Sequence, residues 1–208
     1  DSSTSRGLGD VYKRQELNVS RLPVREAIRT LVGEGVVVAR PRSWAVVREF
    51  THEDIRDFGE VREAIETLIF VFAAERHTDE GIARLRAAYE REFAAASADE
   101  VEAARIAAGE FHEIAAELAG NEMLGELIAV FVTRLRWLFG QHDDLLGMAE
   151  EHRLILDAVA ARDTDTLRWM IPRHLASGQE AAERRLSDQA YSILSLIHIS
   201  EPTRRRGI

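Results

Sequence analysis

The chain has 208 residues, 46% of them hydrophobic, and a formal net charge of −9, which suits one large or two small domains with cores of their own. It contains no cysteine, which excludes disulfides and thiolate metal sites and is compatible with a cytoplasmic protein. No apolar run reaches the length of a membrane-spanning helix, so no membrane partner is expected.

The two ends read as something other than protein. Ser5–Gln15 (SRGLGDVYKRQ) and Leu194–Arg204 (LSLIHISEPTR) can be encoded by opposite strands of one DNA sequence, without a mismatch. Two ends of a natural domain have no reason to do so. Residues 1–15 and 194–208 are therefore expected to be translated sequencing adapter and are set aside from fold reasoning. The remaining stretch, about Glu16–Ile193, is expected to come from a longer gene. Its charge is uneven: Ser20–Arg48 holds six arginines against Glu26 and Glu34, whereas the rest is strongly acidic. A small basic module on an acidic body is the charge pattern of a DNA-binding head on a sensor domain.

Glu16–Val19 is the stub of a helix. After it, Ser20–Gly35 (SRLPVREAIRTLVGEG) predicts a helix with two faces. Pro23 sits in the first turn, where its missing N–H costs nothing. Val24, Ala27, Ile28 and Leu31 follow at the spacing of an apolar face. Arg21, Arg25 and Arg29 line another, and Gly35 stops the helix. A surface helix with solvated arginines fits this spacing as well as one that enters a major groove. The residues that follow favour the groove. Val36–Val38 and Ala45–Val47 are β-branched runs separated by RPRSW, which predicts a hairpin. Helix, recognition helix and hairpin make a winged helix-turn-helix, here a partial one.

From Val19 to Pro41 the chain carries VSR-x-PVREA-I-x-x-L-x-x-EG-V-V-x-x-RP, and this stretch resembles the DNA-binding signature of the GntR family of bacterial transcription regulators. The resemblance implies operator DNA as a partner, with Ser20, Arg21, Arg25, Arg29, Arg40 and Arg42 as the contacting residues. It departs from the family at three places. Leu22 stands where a capping Ser or Thr is usual. Trp44 replaces a glycine at the tip of the wing. Val11, within the adapter, falls where an arginine often helps contact DNA.

Phe50–His52 reads as a linker. From Glu53 onward six helices and no strands are expected: Glu53–Arg76, Thr78 to about Ala96, Ser97–Ala119, Glu122–Phe139, Asp143–Ala161, and Thr164 to about Leu186. The first carries an apolar stripe of Ile55, Phe58, Val61, Ile65, Ile69 and Phe72. Pro172 lies inside the last and should kink it. The fold class is therefore mainly α: a partial winged helix over residues 16–50, then an all-α bundle over 51–193. This long helical remainder resembles the FCD ligand-binding domain of the FadR subfamily.

His112, His152 and His174 sit on three of these helices with apolar neighbours at helical spacing, which turns them inward. An inward histidine is ordinarily a hydrogen-bonded core residue, but three on three helices can also converge on a divalent metal. The FCD resemblance implies the second, because D-x-x-F-H, E-H-x-x-[IL] and H-[LI] mark metal ligands in that domain, and the three histidines match them. Ala108 stands at the aspartate position. Three histidines and a water can still hold Zn or Ni, and Glu110 is on the wrong side of its helix to substitute.

Arg62, Arg134 and Arg136 interrupt apolar stretches and are the candidates for gripping a small carboxylate effector, the ligand class that the resemblance implies. The mixed-sign run Arg84, Arg86, Glu90, Arg91, Glu92 is most simply a solvated face. The expected function is a homodimeric DNA-binding regulator, not an enzyme, whose helical body senses a small carboxylate. The alternatives are a metal-dependent helical-bundle enzyme using the three histidines and a purely structural dimerisation bundle.

Overall fold

A computed structural model describes residues 20–39, 45–130, 132–139 and 143–199, with Arg21, Phe139 and residues 189–199 described by backbone alone. Arg40, Arg42, Trp44, Val11 and the first adapter-like stretch lie outside the described residues, as does the end of the second beyond Ile199.

The head begins with α1 (Arg21–Gly33). Its N-cap is Ser20 in extended conformation, without a side-chain cap bond. The helix ends as the glycine requires: Gly35 adopts φ +74, its N–H bonds Val32 O at 3.1 Å, and the Val36 N–H reaches back to Leu31 O at 3.2 Å. This pair of bonds is a Schellman motif, which satisfies two carbonyls that the helix end would leave open. Val24 is buried and Ile28 and Leu31 are half-buried, but Ala27 is exposed, so the apolar face is narrower than its spacing suggests. The hairpin forms as predicted, from β1 (Val37–Val38) and β2 (Val46–Val47), antiparallel with Val37 opposite Val47.

The body starts with α2 (His52–Arg76), fixed by a capping box in which Thr51 and Asp54 satisfy each other's backbone N–H groups. Its buried side is largely the predicted apolar stripe, with Ile55 and Ile69 buried and Phe58, Ile65 and Phe72 packed against the core, and it departs from the stripe at Val61. Val61 is exposed, whereas Arg62 and Glu66 are buried beside Ile55, Ile69 and Phe70. Polar residues face inward here because this side of α2 borders a cavity. Then come α3 (Asp79–Ser97), capped by Thr78, and α4 (Val101–Leu118). The turn between them places Asp99 at φ 58 and makes Glu100 the N-cap, so the third body helix starts later than Ser97.

The helix expected over Glu122–Phe139 is two helices, α5 (Glu122–Ala129) and α6 (Val132–Phe139). The β-branched residues Val130, Val132 and Thr133 are weak helix formers, and the division falls among them. Next come α7 (Leu145–Ala160), capped by Asp144, and α8 (Thr164–Ile199), which continues through Pro172. It overruns the expected end at Leu186, because Ser187–Ile199 contains neither glycine nor proline to stop it. The described body thus has seven helices rather than six.

The principal packing pairs are α3 with α4, α2 with α8, and α3 with α7. Their shared core is built on Phe70, Leu85, Phe111, Ile155, Leu167 and Ile171. A second cluster joins Ile55 to Leu135 and Leu138 of α6 and Ala182 of α8, with Phe50 and Phe58 against it. That cluster sits where the chain passes from head to body.

Candidate metal centre

The three predicted histidines come together. His112 projects from α4, His152 from α7 and His174 from α8. Their Nε2 atoms form a nearly equilateral triangle: 3.2 Å between His112 and His152, 3.3 Å between His152 and His174, and 3.4 Å between His174 and His112. Phe111 stacks on the His152 ring at 4.5 Å between centroids, and Phe70 meets the His112 ring edge-on. These contacts hold the rings by packing.

Each opposite nitrogen is held by a carboxylate. His112 Nδ1 lies 2.6 Å from Glu66 Oε2, His152 Nδ1 lies 2.6 Å from Glu92 Oε2, and His174 Nδ1 lies 2.7 Å from Glu151 Oε2. A carboxylate oxygen accepts, so each Nδ1 is the donor and carries the proton. In the neutral ring Nε2 is then a bare lone pair. Three lone pairs aimed at one point repel each other unless a cation stands between them. Zinc–imidazole bonds of about 2.0–2.1 Å at tetrahedral angles set neighbouring nitrogens about 3.3–3.4 Å apart, which the triangle fits. The centre can hold a metal ion. Among the described residues no carboxylate joins the cluster as a fourth ligand.

One of these carboxylates is itself anchored. Glu66 accepts from Arg62 Nε at 2.6 Å through its second oxygen, so Arg62 orients a residue that orients His112. Burial alone would raise the Glu66 pKa, but the Arg62 guanidinium and His112 outweigh it and hold the carboxyl at about 2. Burial lowers the His152 pKa against the opposing pull of Glu92. Burial, with Asp144 nearby, raises that of Glu151.

Beside the histidines opens a cavity of about 760 Å³, bordered by α2, α4, α6, α7 and the head hairpin. Arg62 and Arg136 line it, as does Ala108. Arg136 is ion-paired with Glu113. Arg134 takes no part in the lining. It lies over the Phe58 ring at 5.1 Å and against the turn at Gly35. In the head, Ser20 and Arg25 are exposed, and Arg29 is exposed and paired with Glu26 at 2.8 Å.

Sequence reasoning missed Glu66, Glu92, Glu151 and Arg105, all but Glu151 on the cavity wall. Glu92 contradicts its assignment to a solvated face, being 1% exposed. The small residues Ala88, Ala95 and Ala96 at helical spacing around it mark that side of α3 as inward, and they were the available signal.

A winged helix on an all-helical, cavity-bearing body defines a ligand-responsive DNA-binding regulator. Residues 14–47 match the family of bacterial regulatory proteins called gntR, and residues 57–177 match the FCD domain. The chain is 30% identical over 189 residues to the HTH-type transcriptional repressor NanR of Salmonella schwarzengrund (strain CVM19633), an alignment covering 77% of this chain and 69% of that protein. The NanR of Salmonella newport (strain SL254) is likewise 30% identical, over 187 residues, covering 77% and 70%. Among solved structures, a GntR transcriptional regulator from Rhodococcus sp. RHA1 superposes with a TM-score of 0.70 at 22% identity, covering 85% of this chain and 86% of that one. E. coli McbR/YncC gives 0.67 at 21%, covering 82% and 86%. The chain belongs to the GntR family of transcription regulators, with an FCD domain as its effector-binding body.

Proposed function

We propose that this protein is an operator-binding regulator whose body holds a divalent metal, Zn or Ni, on His112, His152 and His174, and uses it to bind a small carboxylate effector. One observation carries this: three Nε2 lone pairs converge while each Nδ1 is tied to its own carboxylate. That arrangement fixes tautomer and ring orientation and raises ligand basicity. The ion would supply a Lewis-acid site for an effector oxygen. Arg62 acts through Glu66, and Arg136 stands on the cavity wall as the charge partner nearest to the effector-binding role expected of it.

The residues 16–50 form the head and 51–193 the body. Two copies set their α1 helices on a palindromic operator, with Ser20, Arg21, Arg25, Arg29, Arg40 and Arg42 toward DNA. The NanR relatives are repressors, and we assign the same sign here. No group of the centre is left to serve a metal-dependent enzyme as general base, since Glu66, Glu92 and Glu151 each receive an imidazole N–H. The test is metal analysis of the purified protein, then thermal unfolding with zinc or nickel and with chelator. A metal-dependent rise in the unfolding midpoint that His152→Ala abolishes is expected. No rise with either ion overturns the metal assignment.

A further inference from the structure

The cavity has a second charged end, and it lies along α4. Arg105, Ala108, Gly109 and His112 occur at spacings that place them on one helix face, and all four border the cavity. His112 stands at one end of this stripe. Arg105 stands two turns toward the helix N-terminus, an axial separation of about 10 Å at 1.5 Å per residue. Side chains of one helix lean the same way, so this axial distance sets the scale of the gap between the two groups. Between the two the floor carries one methyl group and one hydrogen. Arg136 reaches the same floor from α6: a Cβ at Gly109 would lie 3.5 Å from its Nε. Leu145 and Met148 add apolar wall.

Charge separates the two ends. With a divalent ion on three neutral imidazoles, the positive charges of the ion and Arg62 balance Glu66, Glu92 and Glu151. One acidic group on the ion makes that end net negative, so a second acid finds no counter-charge there. The counter-charges stand two turns away. Arg105 faces Asp143 at 3.9 Å, and Asp143 is largely exposed. Arg136 is paired with Glu113, both of them exposed. An exposed ion pair such as Arg136–Glu113 contributes about 0–1 kcal/mol, so exchanging its carboxylate for that of a ligand costs little.

We propose that the effector is a dicarboxylate lying lengthwise over Ala108 and Gly109, with one carboxylate on the ion beside His112 and the other received by Arg105 and Arg136. This rests on the metal-and-carboxylate function proposed above and adds the second anchor. Taking about 2 Å for the metal–oxygen bond and about 3 Å for the N–H···O bond from the 10 Å span leaves roughly 5 Å between the acid groups. Diacids of about four to six carbons meet that length.

The test is calorimetric titration of the zinc-loaded full chain with matched pairs: butyrate and succinate, pentanoate and glutarate, hexanoate and adipate, with suberate as the overlong probe. In the parent, the best diacid is expected to bind at least tenfold tighter than the monoacid of equal length, and suberate more weakly. Arg105→Ala should lower that ratio, and Arg105→Ala combined with Arg136→Ala should bring it close to one, while zinc affinity stays at the parent's value, which shows that the variants are folded. Arg105→Lys should retain part of the preference. Equal binding of mono- and diacids by the parent, or a diacid preference that survives loss of both arginines, overturns the second anchor and leaves the metal-and-carboxylate function standing. Zinc binding with no response to any acid overturns both.

Discussion

The carboxylate of Glu92 and the imidazole of His152 make the most enclosed contact of the centre: Nδ1 donates to Oε2 at 2.6 Å, and both residues are 1% exposed. The two lie sixty residues apart in the chain, on α3 and α7, and packing of those helices brings them together. A buried carboxylate is tolerated only with a partner, and His152 supplies one. In return Glu92 leaves His152 with its Nε2 bare toward His112 and His174.

Glu92→Gln keeps an acceptor oxygen for the His152 N–H and removes the charge. Outer partners of metal-bound histidines typically contribute 10–100-fold in affinity. Zinc should therefore bind about 10–100-fold more weakly to Glu92→Gln, measured by competition with a chromophoric chelator. An unchanged zinc affinity would mean that Glu92 only fills space.

How much of this was legible in the sequence depends on the kind of residue. The winged helix and the three histidines were readable because their signals are local: Gly35 stops a helix by its φ of +74, and each histidine has apolar neighbours on its own helix. Glu66, Glu92 and Glu151 were not, because their role exists only across helices. A glutamate among arginines reads as solvated until α7 is laid against α3. The division of α5 from α6 was missed because periodicity continues through Val130–Thr133, whereas β-branched residues weaken the helix there. Along α2 the apolar stripe was legible except at Val61, which is exposed, and the inward Arg62 and Glu66 were not, because they face a cavity that forms only when the helices pack.

Gly35 and Arg134 give a second prediction, at the passage between head and body. A Cβ at position 35 would require a left-handed residue other than glycine and would stand 3.3 Å from the Arg134 guanidinium. Gly35→Ala should cost about 1–2 kcal/mol from conformation alone. The unfolding midpoint should fall by several degrees, read by calorimetry. An unchanged midpoint would show that the head contributes nothing to the observed transition.

The charge-bearing groups predict an acid response of the metal-free protein. Glu66 is held at about 2, below its ordinary 4.5, so its contribution is present above pH 4.5 and disappears as pH falls toward 2. A depression of that size corresponds to about 3 kcal/mol. His152 is also held below its ordinary 6.5, so the unfolded chain takes up its proton first and stability begins to fall as pH drops through that value. Urea unfolding in chelator from pH 7 to pH 2.5 should show both windows. In Glu66→Gln the loss below pH 4.5 should shrink, while the loss that begins near pH 6.5 remains.

In the head, Arg25 is exposed on α1 and should read a base edge when the protein meets operator DNA. Arg25→Ala should then weaken binding by about 1–3 kcal/mol. Affinity of the parent should fall steeply with salt, because phosphate contacts release counterions. Binding independent of salt, or unaltered in Arg25→Ala, contradicts the assignment.

Ala108 gives the last prediction. It stands one turn before His112 on the cavity-facing side of α4, so a side chain added there points along the same face as the imidazole. A carboxylate at this position would bring a fourth ligand and a negative charge to a centre whose three nitrogens are neutral. Ala108→Asp should tighten zinc and nickel binding, whereas His152→Ala should weaken it, both by calorimetric titration against the parent. The same aspartate would occupy the space over which an effector carboxylate approaches the ion, so Ala108→Asp should also weaken acid binding to the metal-loaded protein. Tighter metal with weaker acid is the expected pair of results. Metal affinity unchanged in Ala108→Asp would place the open side of the nitrogen triangle away from α4.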